Sequence, residues 1–172
     1  MKATITNYLR FACLTGTAIV LTSCDRKPSA DTSTAPDGKA RHESYSLQWV
    51  SNDVPATMSP DEPMPVHVSV KNTGTWPWLN PDAANPATAD GSYAVRLSYR
   101  WARADGKLLP QGSERGELNA TVSPGETGNF TMEVVPPKEA GGYSLEFDLV
   151  QELVTFFSAK GTKKLTVPVT VR

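Results

Sequence analysis

Alternation of apolar and polar residues with a period of two constrains the fold of this 172-residue chain more than any other feature. The two faces of a strand carry alternate side chains, so each alternating run has one apolar face to bury. No stretch repeats convincingly with the 3.6-residue period of a helix over three turns. Together the runs predict an all-β chain folded as an antiparallel β-sandwich of seven to eight strands. The alternating runs lie at residues 45–49, 66–70, 93–101, 117–118, 130–134, 143–149 and 165–171.

Three residues refine this expectation towards an immunoglobulin-like sandwich. Tyr143 follows a glycine at the start of a late strand, where such domains place a tyrosine whose hydroxyl bonds back to the preceding turn. Leu145 stands two residues later, at the position that antibody domains give to their second cysteine. Trp101 ends the third long run and is expected to pack over the core.

Turn residues separate the strands. Asp105-Gly106 predicts a hairpin turn, and Asn72-Thr73-Gly74 predicts a turn in which Gly74 adopts positive φ. Pro168 lacks an N–H to donate, so the last strand is predicted to run along an edge or through a bulge at that residue.

The first 24 residues carry the pattern of an exported chain. A short N-terminal segment carries the basic residues Lys2 and Arg10. The apolar stretch over 11–21 that follows it is too short to span a bilayer as a helix. It ends in Leu21-Thr22-Ser23-Cys24, where small residues precede a thiol. This stretch resembles the lipobox of bacterial lipoprotein precursors, and the resemblance implies acylation of Cys24 and cleavage before it. The alternatives are an ordinary secretory signal with an incidental cysteine, or a short buried helix.

The lipobox divides the chain into three parts. Residues 1–23 are predicted to be the signal peptide, 24–44 the acylated start with a flexible linker, and 45–172 the sandwich domain. The linker lacks large apolar residues, so burial cannot offset the entropy of ordering it. The membrane is then a partner through the lipid. Asp25 resembles a signal that retains lipoproteins at the periplasmic face of the inner membrane.

Composition argues against several function classes. A net charge of −1 gives no basic surface for nucleic acid, and the two histidines, His42 and His67, have no catalytic partners at motif spacing. We therefore expect no enzyme, no metal and no cofactor. Arg100 and Arg115 are expected to form surface ion pairs with Glu117, Asp148 or Glu152, so Asp148 and Glu152 are not interpreted as metal ligands. Removal of Cys13 with the signal peptide would leave no second cysteine for a disulfide.

A wider resemblance covers most of residues 64–161. Asn72-Thr73-Gly74 followed by Trp76 is similar to the N-T-G-x-W segment of the immunoglobulin-like four-tryptophan domains. These domains occur in selective-autophagy receptors and, in bacteria, on cell-envelope proteins. The resemblance implies a sandwich with an accessory, non-catalytic role in recognition. Its further matches are Val70, Lys71, Tyr99–Trp101, Gly112, Arg115, Leu118, Pro124, Gly125, Gly142–Leu145 and Asp148–Glu152.

Two departures from that family affect any inherited binding surface. Residues 79–91 form an Asn-, Pro- and Ala-rich insertion, and Thr155-Phe156-Phe157 has no tryptophan where bacterial relatives often carry one. Both are expected to fall in loops and to leave the fold intact.

Trp76 and Trp78 are the candidate binding residues, because tryptophans beside prolines in a loop can present their faces to sugar rings or to a protein. Trp78 is expected to be the more exposed of the two. The alternative is that both rings cap the open end of the core. The expected function is a lipid-anchored, extracytoplasmic module that binds an envelope glycan or protein. The other reading is a structural subunit of an envelope complex with no small ligand.

Overall fold

The computed structural model describes residues 44–84, 93–110, 112 and 114–172. The predictions for the signal peptide, for Cys24 and for the linker up to residue 43 lie outside the described residues. So does the part of the predicted insertion that falls at 85–91.

The first sheet has four strands in the order β1–β3–β6–β5. Its centre is the antiparallel pair of β3 and β6, in register from Met64 opposite Val134 to Lys71 opposite Thr127. Along β6 burial alternates without a break, so one face packs inward and the other faces solvent. The strands are β1 (Leu47–Asn52), β3 (Met64–Asn72), β5 (Glu117–Leu118) and β6 (Thr127–Val134).

The second sheet runs in the order β2–β9–β7–β4, and β8 pairs with the end of β7. Its pairs are antiparallel except that of β2 with β9, which is parallel. A four-residue helix α1 (Pro81–Ala84) and a 3₁₀ turn (Ser158–Lys160) complete the described elements. The strands are β2 (Thr57–Met58), β4 (Val95–Arg103), β7 (Gly141–Gln151), β8 (Thr155–Phe156) and β9 (Leu165–Val171).

The strand order is that of an immunoglobulin-like sandwich, as the sequence predicts. Of the nine described strands, three have only two residues, and two of these, β2 and β8, lie outside the predicted runs. Without β2 and β8, the first, second, fifth and fourth strands form one sheet, and the third, sixth and seventh form the other, which is the constant-type arrangement. The seven strands of that arrangement agree with the predicted seven to eight, and β2 and β8 are additional two-residue segments that no predicted run covers.

The predicted tyrosine corner is confirmed. The Tyr143 hydroxyl donates to the Glu139 carbonyl at 2.9 Å, four residues upstream. Leu145 is fully buried in the position expected for a cysteine. Trp101 packs edge-on against Tyr143 with ring centroids 6.0 Å apart, and its indole N–H donates to the Val135 carbonyl.

The core lies between the sheets and is filled by the inward side chains of both. A domain of this size can reach sufficient burial by packing alone, and the largest buried side chains are aromatic or long aliphatic. The fully buried apolar residues include Val66, Val68, Val70, Trp78, Val95, Leu97, Phe130, Phe147, Leu149 and Phe157.

The turn predictions have mixed outcomes. Gly106 closes the predicted hairpin with φ of 82°, donating to the Arg103 carbonyl. Gly74 was expected to adopt the positive φ that glycine allows, and this is wrong, because it is not among the positive-φ residues. Glycine is required there by space, since a Cβ would lie 2.2 Å from the Ser44 carbonyl oxygen.

Of two predictions about strands of the second sheet, the start of β4 is wrong and the position of Pro168 is confirmed. Tyr93 was expected to begin the third long strand, but β4 starts at Val95, and Tyr93 has φ of 66° with 52% of its surface exposed. Pro168 lies where β9 pairs with β7 on one side, because β2 reaches only Thr170 and Val171 in the described residues. The predicted edge position of Pro168 is therefore confirmed.

Candidate functional site

The tryptophan segment is held in place by Asn72, which is fully buried at the end of β3. Its amide nitrogen donates to the carbonyls of Trp76 and Val122, and its amide oxygen accepts from the Gly74 N–H. Burying an amide requires that its polar atoms be paired, and three local backbone groups do this here. One asparagine thereby fixes the path of the chain between the two sheets.

Trp78 lies in the core, so the expectation that it is the exposed tryptophan is wrong. Its backbone pairs with Val122 in both directions at 2.9 Å, which draws the segment onto the first sheet. The ring is fully buried and meets Phe157 edge-on at 5.8 Å between centroids. The alternative reading, in which the ring caps the core, describes Trp78.

Trp76 is half-buried in an aromatic cluster at this end of the sandwich. Its ring lies 5.3 Å from Tyr45 and 6.1 Å from Phe157, measured between centroids. Lys160 Nζ lies 5.7 Å from the centre of the Tyr45 ring, within cation–π range. Such edge-to-face contacts stabilise a fold, so this cluster closes the end of the core and presents little free ring surface.

The expectation that the departure from the four-tryptophan pattern at Thr155-Phe156-Phe157 falls in a loop is wrong for Thr155 and Phe156, which form β8, whereas Phe157 lies directly after that strand. Phe157 has no exposed surface and contacts Tyr45, Trp76 and Trp78. The aromatic requirement at this point of the chain is therefore met by a phenylalanine inside the core.

A second region, which the sequence indicated only in part, is a polar groove on the outer face of the second sheet. Cross-strand pairing sets Arg100 opposite Glu146 and Ser98 opposite Asp148. We call this region the outer groove. It is an open cavity of about 230 Å³, and its lining residues are Ser98, Tyr99, Arg100, Glu146, Asp148, Phe156, Ser158, Ala159 and Lys164.

Asp148 is the most buried charged group of the outer groove, with 7% of its surface exposed. Its two carboxylate oxygens accept from the backbone N–H and the hydroxyl of Ser158. Burial raises the pKa of Asp148 above its ordinary value, and the hydrogen bonds from Ser158 oppose that rise. The groove therefore holds a carboxylate in a partly dehydrated setting.

The groove's other carboxylate has a cationic partner. Lys164 Nζ donates to Glu146 Oε2 at 3.0 Å, and both side chains stay partly exposed. Charges of both signs and a serine hydroxyl thus converge beside the Phe156 ring. Such a surface can offer donors and acceptors to a polar ligand and an apolar ring face beside them.

The predicted ion pairs lie next to the groove. Arg115 Nε donates to Glu152 Oε1 at 3.0 Å with about a quarter of each side chain exposed, which confirms that pairing. Glu117 pairs at 3.2 Å with Arg96, a partner that the sequence did not predict. Arg96 Nη1 also lies 4.0 Å from Glu152 Oε1. Arg96 and Arg115 therefore converge on the end of β7.

Sequence reasoning identified Arg100 and Asp148 but missed Phe156, Ser158 and Lys164 as their neighbours. All three missed residues belong to the connection between β7 and β9, whose path across the sheet leaves no periodic signal. The register of β4 against β7, once known, is what brings Arg100 and Glu146 together.

The described residues also bear on two other kinds of site. No group of three histidine, cysteine, aspartate or glutamate side chains there is arranged to hold a metal ion. The described part of the chain also contains no helix of the length and apolarity needed to cross a membrane.

Comparisons with known proteins add structural likeness alone. No protein-family model matches the chain, and no curated protein matches it. The CARDB domain of the PF1109 protein from Pyrococcus furiosus, solved in complex with di-metal ions, is 16% identical with a TM-score of 0.42. That likeness covers 74% of this chain and 88% of the other.

Two glycoside hydrolases resemble the chain over part of their length. A family 123 glycoside hydrolase from Clostridium perfringens is 10% identical with a TM-score of 0.34, over 67% of this chain and 22% of the enzyme. A mutant β-glucosidase from Listeria innocua, in complex with laminaribiose, is 12% identical with a TM-score of 0.42, over 87% and 20%. At this level of similarity, the immunoglobulin-like assignment rests on the strand order and register of the chain itself.

Proposed function

We propose that this chain is a lipid-anchored, extracytoplasmic binding module of the bacterial cell envelope, with no catalytic activity of its own. The observation that carries the proposal is the stretch Leu21-Thr22-Ser23-Cys24, which follows an apolar segment too short to span a bilayer. Asp25 favours retention at the periplasmic face of the inner membrane. The resemblance to envelope-associated four-tryptophan domains supports a role in recognition.

The outer groove is the proposed binding surface, in place of the tryptophan segment. Trp78 is buried and the half-buried Trp76 ring packs against Tyr45 and Phe157, whereas Glu146 and Lys164 of the groove are partly exposed to solvent. A hydroxyl-rich ligand such as an envelope glycan suits these groups, because sugar hydroxyls both donate and accept hydrogen bonds. The adjoining Phe156 ring offers an apolar face for a sugar ring.

Substitution of the two cysteines tests the anchor. Cys24→Ala should abolish labelling by a fatty-acid analogue and release the chain from the membrane fraction, because the thiol is the acceptor. Cys13→Ala is the matched control, since it removes the other cysteine and should change neither readout. Continued acyl labelling of the Cys24→Ala protein would refute the lipoprotein assignment.

The second candidate function is a structural subunit of an envelope complex, held by protein contacts. The small volume of the outer groove, about 230 Å³, favours this reading. Affinity capture with the purified mature chain separates the two functions. Retention on immobilised envelope polysaccharide supports glycan binding, and recovery of one stoichiometric protein partner supports the assembly role.

A further inference from the structure

An exposed apolar tip stands at the end of the sandwich where the domain begins. Three of the five exposed large apolar side chains in the described residues belong to it: Tyr93 at 52%, Leu153 at 80% and Val154 at 50%. The Tyr93 N–H donates to the Glu152 carbonyl at 3.2 Å, which holds the segment before β4 against the turn after β7. We call Tyr93, Leu153 and Val154 the apolar tip.

The backbone of the apolar tip is unusual as well. Tyr93 and Leu153 have φ of 66° and 63°, a conformation that bulky residues rarely adopt. Elsewhere in the described residues, turn positions with positive φ are held by Gly106, Gly125 and Gly161 and by one small polar residue, Asp61. A leucine in such a turn gives no backbone advantage over glycine, so its exposed side chain calls for a separate explanation.

The start of the domain lies beside this tip. The Tyr45 hydroxyl donates to Gln151 Oε1 at 2.7 Å, only two residues before Leu153. Ser44, the first described residue, donates its N–H to Thr75 Oγ1 at the same end. The chain that leads back to Cys24 therefore leaves from the end that carries the apolar tip.

The length of that leading segment limits what the tip can reach. Nineteen residues lie between Cys24 and Ser44, and a chain of that length with the flexibility predicted for this linker has a typical reach of about 25 Å. An acyl group on Cys24 would keep the tip at high local concentration against the bilayer, so even a small contact could be occupied. Three side chains are few beside the 20–30 residues per partner of a stable protein interface.

We infer that the apolar tip inserts into the surface of the bilayer that holds the lipid anchor, an inference that rests on the proposed lipoprotein function. Leucine and valine enter the region of the acyl chains, while tyrosine suits the headgroup boundary. The exposed Lys160, which lies over the Tyr45 ring at this end, is available to anionic headgroups. The contact orients the domain, with the tip facing the membrane.

Site-specific fluorescence on the acylated chain tests the orientation. Once Cys24 is acylated, Leu153→Cys supplies the single free thiol for an environment-sensitive label. In vesicles of phosphatidylethanolamine and phosphatidylglycerol, its emission should shift to the blue and be quenched severalfold by nitroxide lipids. Leu108→Cys, 43% exposed beyond the hairpin turn at the opposite end of β4, is the control and should be unquenched.

Vesicle flotation separates failure of this inference from failure of the proposed function. A chain that does not float with the vesicles lacks the anchor, which overturns the lipoprotein proposal. A chain that floats but shows equal quenching at positions 153 and 108 overturns the membrane-facing tip alone. Val154→Cys gives a second labelled position and should behave as Leu153→Cys does. Burial of either label only on addition of a protein partner would also overturn the inference.

Discussion

The outer faces of the two sheets differ in what covers them, although both belong to one sandwich. On the first sheet, the outward residues of β6 are exposed at every second position, as Thr131 and Glu133 show. On the second sheet, outward Ser98 and Asp148 are buried beneath neighbouring segments. Arg115 and Ser158, from the segments before β5 and after β8, contact this face. A covered face imposes pairing requirements that an open face does not.

The pKa values of two aspartates, one beside each outer face, shift in opposite directions. Asp148, on the covered face, has its pKa raised by burial, with hydrogen bonds from Ser158 in opposition. At Asp53, beside the open face, slight burial opposes the shift, but the hydrogen bonds from the His67 N–H and ring outweigh it and lower the pKa. The pKa of an aspartate thus rises where burial outweighs its hydrogen bonds, as at Asp148, and falls where hydrogen bonds outweigh a slight burial, as at Asp53.

The largest expected effect comes from removing a carboxylate on each face. Asp148→Ala should lower the free energy of unfolding by about 1–3 kcal/mol, because the Ser158 N–H and hydroxyl lose their acceptor. Glu133→Ala on the open face should stay within about 0.5 kcal/mol of the wild type. Urea denaturation measures both. Equal losses at the two sites would mean that the faces do not differ energetically.

The open face is also the part of the fold that the sequence predicts best. Alternation over β3 and β6 predicts their inward residues correctly, because each strand has one solvent-exposed face and one buried face. In β4 the pattern fails at Ser98, which is buried on the outward side, where Arg115 contacts it. Local periodicity carries no information about such coverage.

The same limit applies to the candidate site. Trp78 beside a proline has the sequence context of an exposed loop, and only its bridge to Val122 places it in the core. Arg100 and Asp148 are recognisable as charged strand residues, but their meeting with Ser158 depends on a long-range path. By contrast, Tyr143 is predictable, because its partner Glu139 is four residues away.

Ligand binding should also differ between the two outer faces, with a smaller effect than the one expected on stability. Glu146→Gln in the outer groove should weaken retention on envelope polysaccharide severalfold, about 1 kcal/mol, because a charged acceptor becomes neutral. Glu133→Gln is the matched change on the open face and should leave retention unaltered. Affinity chromatography of the two variants beside the wild type provides the measurement. If both variants bind as the wild type does, the ligand surface lies elsewhere.

The smallest expected effect is a pair of opposite pH dependences. Because the pKa of Asp148 is raised on folding, its stabilising contribution is full below the unfolded value, 3.8, and is lost as pH rises through the folded pKa. Because that of Asp53 is lowered, its contribution is full above 3.8 and is lost as pH falls through the folded pKa.

Neutral variants isolate each of these two contributions. Relative to the wild type, the Asp148→Asn protein should gain stability as pH rises above 3.8, since the wild type must then bury a charge. The Asp53→Asn protein should gain relative stability as pH falls below 3.8, since the wild type then protonates the carboxylate that accepts from His67. Urea unfolding of the three proteins across this range measures both slopes. Slopes of the same sign would show that coverage of the second sheet does not govern the charge of Asp148.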